Sequence, residues 1–123
     1  MSSFTTPLKV DVLDEFKESR RLFRLTEPFE FYREEDETEV IRVPKGFVTD
    51  FSSVPKLLWP IENPLGPSAK AAVLHDYLYV HAVKNKAYAD KVFLEALKVL
   101  GVPNLKRHLL YYTVKLFGRG EYK

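Results

Sequence analysis

The spacing of apolar residues changes period halfway along the chain, and no other feature confines the fold as tightly. Up to about residue 50 apolar and polar residues alternate, in "PLKVDVL", "RRLFRLTEPFEFYR" and "EVIRVPKGFV". Period-two alternation marks strands with one face buried. The acidic stretch "REEDET" between the last two runs reads as a solvated hairpin loop. Pro28 and Pro44 belong at edges or bulges, which keeps the sheet small.

Beyond residue 67 the period becomes helical. A first helix is predicted from about Ser68 to Val83, opened by small residues. In "NKAYADKVFLEALKVLG" the residues Val92, Phe93, Ala96, Leu97 and Leu100 recur at helical spacing, and Gly101 supplies the stop. "VPNLKRHLLYYTVKLFG" makes a third helix, with Pro103 near its start. The proline-rich connector "DFSSVPKLLWPIENPLGPS" joins the halves, with one helical turn predicted from Pro55 to Trp59. The expected fold is α+β: a small antiparallel β-meander followed by three helices. At 123 residues the chain has the size of one domain, mainly β over 1–50, connector over 51–67 and helical over 68–123.

Composition removes several functions. Cysteine is absent, which excludes disulfides, thiolate metal sites and a cysteine nucleophile. A net charge of +2 is too weak a bias to imply nucleic acid as a partner. No apolar run approaches the ~20 residues that span a bilayer. The first residues lack a charged segment followed by an apolar one, so synthesis without a signal peptide, in a cytoplasm, is expected.

Against this plain background "AAVLHDYLYV" stands out, because it sets His75 and Asp76 side by side in an apolar helix. Helical neighbours point about 100° apart, so the two line different walls of one space. His75 shares a face with Ala71, Ala72, Leu78 and Tyr79, and the small alanines suit a pocket beside the imidazole. On the second helix Asp90 precedes Phe93 and Leu94 by three and four residues, so it faces the first helix if they do. A carboxylate on one imidazole nitrogen fixes the tautomer and leaves the other as a base. Asp76 is then the candidate ligand for a hard cation. His81 and His108 read as surface or packing residues, Trp59 as a packed corner. The third helix, with Lys106, Arg107 and Lys115, reads as packed with a solvated basic face.

"GPSAKAAVLHDYLY" resembles the active-site helix of the phospholipase A2 superfamily, its viral members above all. The matching residues are Gly66, Pro67, Ala71, Ala72, His75, Asp76, Tyr79, Ala89, Asp90 and Phe93. The resemblance covers roughly residues 46–100. It implies an antiparallel helix pair in which His75 is the general base for water, Asp90 orients it and Tyr79 hydrogen-bonds Asp90. It also implies calcium on Asp76. The family's calcium loop is rich in glycine, whereas "KGFVTDFSSVP" holds Gly46 alone, and Asp50 is the carboxylate placed to compensate.

The whole chain is also similar to a phage-associated family of uncharacterised small proteins, through "GFVTDFSSVP", "AAVLHDYLY", "ADKVFLEAL" and the junction from Leu100 to Pro103. That similarity implies a phage origin and no settled activity. Two expectations follow. One is a calcium-dependent esterase acting on phospholipid at the host envelope. The other is a non-catalytic virion component (tail, baseplate or adaptor) that uses the helix pair as a scaffold, with other phage structural proteins or further copies of itself as partners.

Overall fold

The computed structural model describes residues 2–17, 20–34, 38–49, 66–81 and 84–117. The chain divides into two compact units, Met1–Asp50 and Phe51–Lys123. The first holds the strands and the second the helices, so the architecture is α+β as the change of period predicts.

Among the described residues of the first unit six strands form: β1 (Ser3–Phe4), β2 (Val10–Lys17), β3 (Arg20–Leu25), β4 (Phe29–Arg33), β5 (Glu39–Val43) and β6 (Val48–Thr49). They make two three-stranded antiparallel sheets, in the orders β1-β4-β5 and β2-β3-β6. Alternation by itself predicts a single meander; the pairing splits it. The cause lies inside "RRLFRLTEPFEFYR", which folds as two strands and not one. Pro28 has no N–H to donate to a ladder, so the strand from Arg20 stops at Leu25 and a new one starts at Phe29 in the other sheet. Pro44 likewise stands just past the end of β5.

On β4 the alternation is visible in the burial: Phe29, Phe31 and Arg33 are buried and Glu30 and Tyr32 only partly so. Phe29 and Phe31 meet Phe4 of β1, with ring centroids 5.2 and 4.6 Å apart. Arg33 occupies a core position and is paired there with Glu39 at 2.7 Å, across the hairpin whose loop holds the acidic stretch. Residues 35–37 of that stretch lie outside the described residues. The turn into β6 needs Gly46, whose φ of +92° few other residues adopt, and its N–H bonds the Leu25 carbonyl at 2.9 Å.

The second unit contains α1 (Ala69–Val80), α2 (Lys86–Val99) and α3 (Asn104–Phe117). The predicted first helix is shorter at its end: it stops at Val80, with His81 as its C-cap. Five consecutive residues, Ala71 to His75, are buried. A helix covered on that many sides is a central one, not one with a single apolar stripe. α1 and α2 pack together. Asn85 caps α2 by accepting the Tyr88 N–H at 2.8 Å. Only one face of α2 is apolar, and Ala89, Val92, Phe93, Ala96 and Leu97 are buried there.

At the far end of α2 the chain turns through Gly101, at φ +78°. The Val102 N–H reaches the Leu97 carbonyl and the Gly101 N–H the Lys98 carbonyl, both at 3.1 Å, which is a Schellman stop. α3 then packs on α2 through Leu110 and Val114. A Cβ at Gly101 would meet nothing within 4 Å, so Gly101→Ala tests backbone strain without a clash. It is expected to cost about 1 kcal/mol in urea unfolding.

Candidate functional site

The site begins with the register of two helices. Ala71 and Ala72 are fully buried, and one turn later on the same helix His75 points inward. On α2 the apolar face that packs in the core includes Phe93, and Asp90, three residues earlier, shares that face. The imidazole is thereby brought to the carboxylate: His75 Nε2 lies 2.8 Å from Asp90 Oδ1. The rings of Phe93 and Tyr79 cover the imidazole, at 5.0 and 5.2 Å between centroids. His75 is 4% exposed and Asp90 2%, so both members of the pair are buried.

A buried carboxylate needs more than one partner. The second oxygen of Asp90 accepts from Lys86 Nζ, one helical turn back on α2. The same ammonium donates to the carbonyls of Val114 at 3.1 Å and Lys115 at 3.0 Å in the last turn of α3. Three donors thus meet three acceptors. Lys86 is the first residue of α2, an end where the helix dipole disfavours a cation. The carbonyls at the negative end of α3 offset that by accepting from it. A single lysine therefore caps α3 and neutralises Asp90.

These contacts set the protonation states. Burial pushes the His75 pKa below its ordinary value, overriding the pull of Asp90, and the Lys86 charge pushes the same way. For Asp90 burial acts to raise the pKa, but the hydrogen bonds from His75 and Lys86 outweigh it and hold the carboxyl below the usual range. An ionised Asp90 only accepts, so the imidazole proton sits on Nε2. A neutral ring then carries its lone pair on Nδ1.

The remaining predicted residues are placed differently. Tyr79 meets His75 through its ring, and the second oxygen of Asp90 accepts from Lys86. Asp76 is half-buried on α1 beside His75. Asp50 lies outside the described residues, as do Trp59 and the connector turn around it. Calcium takes six to eight oxygen ligands. Among the described residues no group of three or more His, Asp or Glu could hold a metal ion, so the described residues do not by themselves form the implied calcium site. The ring of His81 lies tilted against that of Tyr77, 4.8 Å between centroids, and His108 Nδ1 lies 2.8 Å from the Asn104 carbonyl of its own helix.

Lys86 is the functional residue that sequence reasoning missed. A signal existed in the Lys86–Asp90 spacing of four, which puts both on one helix face. The partner carbonyls of α3 leave no trace in the sequence.

An α+β protein whose first two helices share a buried, lysine-neutralised His–Asp pair is the class that fold and site define. Within it the chain belongs to the DUF1353 family, proteins of unknown function, whose model matches residues 23–114. That span runs from β3 into α3 and includes His75, Lys86 and Asp90. No curated protein and no solved structure matches the chain.

Two outcomes follow from the protonation states. The unfolded chain binds a proton on His75 near pH 6.5, the folded chain only at lower pH. Stability is therefore complete above about 6.5 and falls as the pH drops from there through the folded value. A second loss begins below about 3.8, where the unfolded Asp90 protonates first. Urea unfolding across pH should show both losses, and His75→Gln should remove the first. Lys86→Met leaves Asp90 with one partner and α3 without its cap. It should cost about 2–3 kcal/mol and raise the His75 pKa, read from the imidazole NMR signals.

Proposed function

We propose that this chain is a hydrolase of carboxylic esters in which His75 is the general base. The observation that supports this reading is the 2.8 Å contact of Nε2 with an ionised Asp90, which directs the basic lone pair to Nδ1. Water gives a proton to Nδ1 while its oxygen bonds to the ester carbonyl carbon. The tetrahedral intermediate then breaks its bond to the alcohol oxygen, which takes the proton back from the imidazolium. Asp90 holds the ring and stabilises the charge that forms on it. A depressed His75 pKa keeps the base unprotonated at neutral pH.

The resemblance to viral phospholipases supplies the substrate class, phospholipid, and the similarity to phage-associated proteins supplies the setting, the host envelope. The assay is fatty-acid release from phospholipid vesicles. His75→Gln should lower turnover by about 10²–10⁴-fold while the far-UV spectrum is unchanged. Full turnover in that variant removes His75 as the base. Asp76 is the one implied cation ligand among the described residues, so Asp76→Ala measured with and without added calcium reads that part separately. A calcium response lost in the variant assigns the cation to Asp76; turnover indifferent to both removes calcium.

One observation favours a second reading. Lys86 joins Asp90 to the end of α3, so the polar network holds three helices together whether or not it does chemistry. A virion component built on this scaffold would show no hydrolysis in the wild type, yet would lose stability in His75→Gln.

A further inference from the structure

The face of α3 opposite its packed side carries a second apolar stripe. Leu105, Leu109, Tyr112 and Leu116 are 85%, 40%, 53% and 63% exposed. Their spacing of four, three and four places them within about 60° of one another around the helix. The core-facing residues Leu110 and Val114 lie on the other side and are buried. A helix that has already buried one apolar face has no need of another for its own packing.

The charge around the stripe says what would cover it. α3 contains Lys106, Arg107 and Lys115 and no acidic residue. Lys106 flanks the stripe on one side, and His108 and Lys115 on the other. The Lys115 ammonium stands 5.8 and 5.9 Å from the ring centres of Tyr111 and Tyr112, so aromatic rings and a long-stemmed cation are gathered at the rim. Such side chains rest where an apolar layer meets a polar one.

A second copy of the chain fits poorly. Pairing two such stripes would bring lysine against lysine, and two heptads fall short of the about three to four that mark a coiled coil. We propose that this face of α3 docks on an anionic lipid surface, with Leu105, Leu109, Tyr112 and Leu116 entering the headgroup boundary and Lys106 and Lys115 against the lipid phosphates. The proposal rests on α3 alone and holds whether or not His75 catalyses hydrolysis.

The test is co-sedimentation of the intact protein with vesicles of phosphatidylcholine, with and without phosphatidylglycerol. Wild type should sediment with the phosphatidylglycerol vesicles, little with phosphatidylcholine alone, and less as salt is raised. Lys115→Ala should weaken binding about fivefold, the worth of one cation near an anionic surface. Leu105→Ser with Leu116→Ser should weaken it more than tenfold at unchanged helicity, while His75→Gln should bind as wild type. Protein left in the supernatant, binding indifferent to phosphatidylglycerol, or binding untouched by the leucine variants would overturn it. A wild-type dimer that Leu105→Ser dissociates would assign the stripe to a second copy instead.

Discussion

Asp90 is a carboxylate kept ionised out of water, and the helical unit is arranged around meeting that cost. A lone buried charge would be expelled or neutralised by protonation. Here each oxygen has its own donor: an imidazole from α1 and an ammonium from the first turn of α2. The ammonium needs further acceptors and finds them in the last-turn carbonyls of α3. One acidic side chain thus ties three helices together, and removing any partner would strand another inside the protein.

The same contacts that hold the helices also prepare the histidine. A neutral ring with its proton fixed on Nε2 is what a general base requires, and it is equally what a satisfied core histidine looks like. Lys86 is why the two roles coincide: it keeps Asp90 ionised and opposes a positive charge on His75. The strand unit follows related logic on a smaller scale, burying Arg33 and answering it with Glu39 across the hairpin. Membership of the DUF1353 family places the chain among proteins of unknown function and leaves its chemistry to be argued from these contacts.

How much could be read beforehand varied from element to element. Val92, Phe93, Ala96 and Leu97 announce the apolar face of α2, since helical packing depends mainly on spacing within one segment. The same spacing carries Asp90 onto that face, so its meeting with His75 was legible. The split of the strands into two sheets was not, because pairing partners such as β1 and β4 lie far apart in sequence and nothing local distinguishes them. Ala71 and Ala72, read as leaving room beside the imidazole, are themselves fully buried. Small side chains allow close approach as readily as they leave space.

What the sequence by itself determined were the properties that depend on near neighbours: the change of period, the helix stop at Gly101, the start of the third helix beside Pro103, and the placing of His75 and Asp90 on facing sides of two helices. What only the tertiary structure decided was which groups would share a proton or a charge. Lys86 reaches carbonyls nearly thirty residues away, and backbone carbonyls carry no residue identity. Their role is created by the end of a helix meeting a cation, and that meeting exists only in three dimensions.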